Sequence, residues 1–171
     1  MRRSGTRELS WARGGVARAV REALLRGVLI PLIDVYARRQ VLGREHLDAV
    51  EPPVIFVANH SSHVDTPAIL HALPTEWRRR TAVAAAADYF YRVPWLAHAV
   101  ALAFNTVAVE RKSAVPDAAS ELIELIEEGW SLVVFAEGTR SRDGTVGRLH
   151  SGAAVLAVSY THLTLPTTPY V

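Results

Sequence analysis

Residues 54–65 read Val54-Ile55-Phe56-Val57-Ala58-Asn59-His60-Ser61-Ser62-His63-Val64-Asp65, an apolar run followed at once by a polar cluster. A short apolar run of this kind indicates an interior strand, and catalytic groups collect just past the carboxyl ends of such strands. A second run, Leu132–Phe135, leads into the loop Ala136-Glu137-Gly138-Thr139-Arg140-Ser141-Arg142. Two polar clusters at two strand ends predict one shared site.

The middle of the chain alternates between predicted strands and predicted helices. Pro116 suits the first turn of the last of these helices, and Gly129 suits its end. Such alternation predicts an α/β fold, an αβα sandwich with a largely parallel sheet. The strands are predicted at Val54–Ala58, Ala82–Ala86, Thr106–Val109 and Leu132–Phe135, and the helices near Pro67–Leu73, Pro94–Phe104 and Val115–Glu128.

Length and composition limit the class of protein. With 171 residues, half of them hydrophobic, the chain is most simply one domain with an appendage. The net charge of +2 gives no case for a nucleic-acid partner. The absence of cysteine excludes disulfides and thiolate catalysis. The longest apolar stretch near the N-terminus, Val28–Ile33, stops at Asp34 and is too short to cross a bilayer.

The sequence pattern of the first 41 residues predicts a basic amphipathic helical segment. Helical spacing from Val16 to Arg26 places the valines, Leu24 and two alanines on one side, and Arg18, Arg21, Glu22 and Arg26 on the other. Such a segment can lie in an anionic membrane surface, and it can equally pack on the domain with a solvated arginine face. The domain proper is predicted at 42–159. Residues 160–171 change to a threonine- and proline-rich composition without charge, and we expect a foreign or disordered tail there.

His60 and Asp65 are the candidate catalytic pair. A neutral imidazole accepts a proton from a hydroxyl well when a carboxylate on its other nitrogen fixes the tautomer. The sequence Asp65-Thr66-Pro67 has the form of a helix start, which allows the chain between the two residues to turn back. The pair therefore predicts general-base chemistry on a hydroxyl.

The loop Glu137-Gly138-Thr139-Arg140 has the composition of an anion-binding loop. Glycine lets the backbone approach the ligand, threonine donates a hydrogen bond, and arginine can bind phosphate through two parallel hydrogen bonds. We interpret Glu137 as orienting Arg140 or as accepting from a substrate hydroxyl. Arg111, which follows the strand at Thr106–Val109, is a third candidate cation at a strand end.

These residues resemble the motifs of the glycerolipid acyltransferases, the family of 1-acylglycerol-3-phosphate acyltransferases. The stretch 59–65 resembles the family's His-x-x-x-x-Asp motif, and Phe135-Ala136-Glu137-Gly138-Thr139-Arg140-Ser141 is similar to its Phe-Pro-Glu-Gly-Thr-Arg-Ser motif. Val109-Glu110-Arg111 resembles the element between them, which usually ends in Asp-Arg. Order and spacing also match, over roughly residues 42–158.

The resemblance implies a reaction and its participants. His60 is then the general base, with Asp65 as its partner, and Arg111, Glu137, Gly138, Thr139 and Arg140 bind the acceptor. The acyl donor is acyl-CoA or acyl-carrier protein, with no other cofactor and no metal. The implied partners are a membrane lipid acceptor and an anionic membrane surface, at the cytoplasmic face of the cell membrane.

Departures from the family pattern leave two alternatives open. Glu110 replaces the usual aspartate, Ala136 the usual proline, and His150 a common lysine, while the family's fourth motif is expected where the 160–171 composition begins. One alternative is therefore a membrane-associated remnant that keeps the motifs without turnover. The other is a metal-dependent hydrolase with ligands from His60, His63, Asp65 and His71.

Overall fold

A computed structural model describes residues 7–36, 40–86, 93–109, 115–141 and 143–159. Its α-helices are α1 (Gly15–Leu24), α2 (Ile30–Tyr36), α3 (Asp65–Ala72), α4 (Thr75–Arg78), α5 (Pro94–Phe104), α6 (Val115–Glu127) and α7 (Gly152–Ser159). The strands are β1 (Ile55–Ala58), β2 (Thr81–Ala86), β3 (Thr106–Val109) and β4 (Ser131–Phe135). Short 3₁₀ helices span Arg7–Arg13 and Arg44–Ala49, and a π-helical turn at Leu25–Leu29 joins α1 to α2.

The strands form a parallel sheet in the order β1-β4-β2-β3. Each observed strand begins or ends within one residue of the predicted one. The alternation of strands and helices therefore predicted both the class and the strand direction correctly, and the α/β fold is confirmed.

Side chains on the two faces of the sheet build two separate apolar cores. Ala82, Val107 and Leu132 pack against α6 and α7, while Val83 and Val133 pack against α3 and α5. Successive strand residues point to opposite faces, so neighbouring residues supply different cores. Helices thus cover both faces, which is the arrangement of an αβα sandwich.

The two polar clusters begin side by side. β1 and β4 are neighbours, and the last residue of β1, Ala58, pairs with the last residue of β4, Phe135. Parallel strands that are in register end at the same edge of the sheet. The loops that carry His60 and Glu137 therefore leave the sheet together, as the prediction of one shared site requires.

The structure contradicts one of the two alternatives for the first helix, in which it packs on the domain with a solvated arginine face. Val16, on the apolar side of the sequence pattern, is 81% exposed, whereas Arg21, on the polar side, is only 5% exposed. The buried face of α1 consists of Ala17 and Arg21, and it continues in Leu25. The helix therefore packs through a different face from the one that hydrophobicity selects.

Hydrogen bonds from Arg21 explain this orientation. One terminal nitrogen of Arg21 donates to the carbonyl oxygen of Ala12 at 2.8 Å and to that of Ala101 in α5 at 2.9 Å. These carbonyls lie near the C-terminal ends of two helices, where the helix dipoles attract cations, and the Ala101 oxygen also accepts from the amide nitrogen of Asn105. Burial, together with the charges of Arg18 and Arg13, lowers the pKa of Arg21 to about 10, so the side chain stays cationic at neutral pH.

Large apolar side chains form an exposed stripe along α1, the π turn and α2. In an ideal α-helix, every fourth residue drifts by about 40° around the axis, which would spread such a series around the helix. A π turn holds more residues per turn and so reverses part of that drift. The stripe, which we call the apolar stripe, consists of Val16, Val20, Leu24, Val28 and Leu32.

Some predictions concern residues outside the described ranges. These are Arg111, Glu110 and the tail at 160–171. The domain boundaries proposed at residues 41 and 159 also stay predictions. Within the described ranges, every helix is too short or too polar to cross a bilayer.

Candidate active site

His60 and Asp65 are hydrogen-bonded in the structure. His60 Nδ1 lies 2.9 Å from Asp65 Oδ2, and both side chains are partly buried. The residues are brought together because the chain turns at 61–64 and α3 begins at Asp65. The predicted turn between the two residues is therefore present, with Asp65 in the first position of the helix.

Backbone groups of the same turn hold the Asp65 carboxylate. The amide nitrogens of Ser61 and Ser62 donate to Asp65 Oδ2 at 2.7 and 2.8 Å. Partial burial raises the pKa of Asp65, but these two amides and His60 outweigh it, and the net shift is downward. Asp65 is therefore ionised at neutral pH and acts only as an acceptor.

An ionised Asp65 fixes the tautomer of His60. Because the carboxylate can only accept, the proton between the two groups belongs to Nδ1, and the lone pair of the neutral ring is on Nε2. The ring of Phe135 stacks on the His60 ring with 4.0 Å between centroids and fixes its plane. The arrangement presents one basic nitrogen in a defined direction.

Glu137 joins the two motif loops through backbone hydrogen bonds. Its Oε1 accepts from the amide nitrogen of His60 and its Oε2 from that of Gly147, each at 3.0 Å. The side chain is 4% exposed. The Gly147 and His60 amides lower its pKa, so the carboxylate stays charged. Both oxygens have backbone partners, whereas the sequence suggested Arg140 or a substrate hydroxyl.

The backbone of His60 is held on both sides by the second loop. Glu137 accepts from its amide nitrogen, and its carbonyl oxygen accepts from the amide nitrogen of Ser141 at 2.7 Å. The loop itself turns at Gly138, whose φ of 62° is a left-handed conformation that favours glycine. The second motif therefore positions the backbone of His60.

Arg140 contacts a residue of the first motif. Arg140 Nη1 lies 2.6 Å from His63 Nε2, and since a guanidinium group can only donate, the histidine nitrogen accepts. Burial lowers the pKa of His63, as do the charges of Arg140 and His60, against the opposing effect of Asp65. His63 is therefore neutral at neutral pH and orients the guanidinium group of Arg140.

The other predicted residues differ in position. Gly138 and Thr139 are exposed on the loop between Glu137 and Arg140, and Arg111 lies outside the described ranges. The ligand set proposed for a metal-dependent hydrolase is not brought together, because His71 is near the far end of α3 from Asp65. Among the described residues, no group of three or more metal-ligating side chains could hold an ion.

Sequence reasoning missed three contributors to the site. Phe135 was interpreted as the end of a strand and the first residue of the second motif, although its place next to the first loop could have indicated a ring contact with His60. His63 was considered only as part of the first motif and as a metal ligand, and Gly147 was assigned no role. The contact of His63 with Arg140 spans 77 residues and that of Gly147 with Glu137 spans 10, and no local pattern reveals either of them.

Comparison with known proteins identifies relatives of this chain. The Acyltransferase family profile matches residues 38–171. The chain is 28% identical over 132 residues to a chloroplastic 1-acyl-sn-glycerol-3-phosphate acyltransferase of Brassica napus, covering 73% of this chain and 36% of the relative. An Arabidopsis thaliana enzyme of the same description is 28% identical over 130 residues, covering 74% and 34%.

A solved structure agrees with these sequence relatives. The 1-acyl-sn-glycerophosphate acyltransferase PlsC of Thermotoga maritima superimposes with a TM-score of 0.58 at 26% identity, covering 87% of this chain and 55% of that protein. The chain spans about a third of the length of the curated plant relatives it matches. The resemblance based on the motifs is confirmed: the chain belongs to the Acyltransferase family and is similar to PlsC-like glycerolipid acyltransferases.

Proposed function

We propose that the chain transfers a fatty acyl group from a thioester donor to the hydroxyl of a lysoglycerophospholipid, with His60 as the general base. The hydrogen bond between His60 Nδ1 and Asp65 Oδ2 carries this proposal, because it leaves Nε2 as the proton acceptor. The names of the relatives support a 1-acylglycerol 3-phosphate acceptor. Acyl-CoA and acyl-carrier protein are the donors that the motif resemblance suggests.

The proposed reaction proceeds by direct transfer. His60 Nε2 takes the proton of the acceptor hydroxyl as its oxygen attacks the thioester carbonyl. The carbon–sulfur bond breaks, and the thiolate receives the proton from His60, which regenerates the neutral ring. The products are an ester and a free thiol. Asp65 stabilises the imidazolium that exists between the two proton transfers.

The proposed acceptor contact is made by Arg140. His63 holds one nitrogen of this guanidinium group on the same side of the sheet edge as His60. A phosphate bound by Arg140 would lie near the base, and in 1-acylglycerol 3-phosphate the phosphate and the free hydroxyl are on neighbouring carbons. Arg111 is proposed as a second phosphate ligand from the motif resemblance alone.

Arg140→Ala is expected to raise the KM for the acceptor by about tenfold or more, with a smaller effect on kcat, because the phosphate is bound in ground and transition states alike. Arg140→Lys should recover only part of the loss, since lysine cannot form two parallel hydrogen bonds. Initial rates at varied lysophosphatidic acid and fixed donor measure the effect. If only the KM for the donor rises, Arg140 does not bind the acceptor.

We propose peripheral binding to an anionic membrane through the N-terminal helices. The support comes from the apolar stripe, whose side chains are exposed on the outer surface of these helices. A helix that lies at a membrane surface buries its apolar side chains below the headgroups. The arginines of the segment add attraction to anionic lipids, although Arg21 is occupied inside the protein.

Replacing Val16 and Leu32 together with serine is expected to weaken partitioning onto anionic vesicles by about tenfold or more, since each buried side chain contributes over 1 kcal/mol. Vesicle flotation at fixed lipid concentration measures the bound fraction. Val57→Ser together with Val158→Ser is the matched control. Both valines are exposed, and they lie on the side of the sheet that faces away from the N-terminal helices. If both double variants bind the vesicles equally well, the apolar stripe is not the membrane contact.

A further inference from the structure

A cavity of about 270 Å³ lies between the N-terminal helices and the segment that joins α3 to β2. Its polar wall is made of three arginines, a histidine and a threonine, and two aliphatic side chains complete it. Among the described residues, no carboxylate lines this space. The polar wall consists of Arg26, Arg44, Arg78, His71 and Thr75.

The arginines give the cavity a net positive charge. Glu22 lies behind the wall, where Arg78 Nε donates to it at 3.0 Å and Arg26 Nε at 2.6 Å. Partial burial raises the pKa of Glu22, but the hydrogen bonds and charges of Arg78 and Arg26 outweigh it, so the carboxylate is ionised. Three guanidinium charges less one carboxylate leave a net charge of +2.

The guanidinium groups divide into a fixed one and two accessible ones. Arg78 is buried, and Glu22, Thr75 and the carbonyl oxygens of Leu70 and Leu73 accept its hydrogen bonds. Arg26 binds Glu22 and Thr75 but is 57% exposed, and its other terminal nitrogen has no partner among the described residues. Arg44 is exposed at the start of its 3₁₀ helix. Arg26 and Arg44 can therefore turn donors towards a ligand.

The cavity lies at the opposite end of the domain from His60. Asp65 begins α3 beside the catalytic histidine, and eight residues of helix separate the two ends of α3 by roughly 12 Å. Thr75 and Arg78 precede β2, so they are at the amino edge of the sheet. In 1-acylglycerol 3-phosphate the reacting hydroxyl and the phosphate are on neighbouring carbons. An acceptor placed at His60 therefore cannot put its phosphate here.

We propose that this cavity is a second anion site that binds a phosphate monoester group. A phosphate monoester carries a charge between −1.5 and −2 at neutral pH, which matches the net charge of the wall. Guanidinium groups bind its oxygens through paired hydrogen bonds. The volume is several times the ~30 Å³ share of a water molecule, which leaves room for a small group attached to the phosphate.

Calorimetric titration of the whole chain tests the proposal, with inorganic phosphate, glycerol 3-phosphate and CoA as probes at constant ionic strength. We expect saturable binding that weakens by about tenfold in Arg44→Gln and in Arg26→Gln. Arg79→Gln is the matched control, because this exposed arginine follows α4 directly without lining the cavity. Equal dissociation constants for the three probes would show that the site recognises the phosphate group alone. A lower dissociation constant for glycerol 3-phosphate or CoA would show that the group attached to the phosphate also contacts the site. Both results support the site.

Active-site variants separate this site from the proposed acyl transfer. His60→Ala should bind the probes as the unchanged chain does, whatever its effect on activity, so this test is independent of the proposed function. Loss of binding in Arg140→Ala, with unchanged binding in Arg44→Gln and Arg26→Gln, would assign the phosphate to the loop next to His60 and overturn the proposal. Failure of every probe to saturate would also overturn it.

Discussion

His60→Ala is expected to lower kcat for acyl transfer by about 10²–10⁴-fold while the chain stays folded, because the acceptor hydroxyl loses its proton acceptor. The backbone hydrogen bonds of His60 with Glu137 and Ser141 do not involve the imidazole and remain possible in alanine. Single-turnover assays with lysophosphatidic acid and labelled acyl-CoA measure the loss. Circular dichroism and a thermal melt check the fold.

His46→Ala is the matched control for this substitution. It removes an imidazole from an exposed 3₁₀ helix that lies outside the motif loops, so activity should be retained. Asp65→Asn should lower kcat less than His60→Ala does, because the tautomer of the His60 ring is no longer fixed but the imidazole is still present. Comparable turnover by the original chain and His60→Ala would end the assignment of His60 as the base.

Glu137→Gln is expected to lower kcat by about 10²-fold with little change in the KM of the acceptor, since a small misplacement of a reacting group has an effect of this size. An amide has one oxygen acceptor, so its NH₂ group would face the backbone N–H of either His60 or Gly147. The base is then displaced although its side chain is intact. Steady-state kinetics with both substrates varied separate kcat from KM.

Asp143→Asn provides the control for Glu137→Gln. This carboxylate also accepts hydrogen bonds within the second loop, from Ser141 and Thr145, but it does not contact the first motif. Its removal should leave kcat nearly unchanged. A rise in the acceptor KM alone in Glu137→Gln would instead favour the sequence-based interpretation, in which this carboxylate binds the substrate.

The parts of the fold that local pattern determines were predictable. The buried strands are continuous apolar runs, and α5 begins at Pro94 and ends before Asn105, whose φ of 53° marks a left-handed helix end. The His60–Asp65 pair was also predictable, because both residues lie in one turn. Chemistry that depends on a short segment can be read from that segment.

Features that depend on distant partners were not predictable. The orientation of α1 follows from hydrogen bonds between Arg21 and Ala101, which are 80 residues apart. The role of Glu137 follows from its contact with His60, across 77 residues. Hydrophobic periodicity carries no information about either contact. A charged side chain with suitable buried partners reverses the face that periodicity selects.

The π turn at Leu25–Leu29 has a consequence for sequence alignment of the N-terminal helices. The wide turn accommodates one extra residue, so deleting one residue there would let an ordinary α-helix continue with the direction of α2 relative to α1 nearly unchanged. Adopting an ordinary α-helix without the deletion would instead rotate α2 by roughly 90–100°, and Leu32 would leave the line of Val16 and Val20. A relative that lacks the wide turn must space its outward apolar residues at alternating intervals of three and four. A one-residue gap in this region therefore marks a change of helix geometry, and the register on either side should be aligned separately.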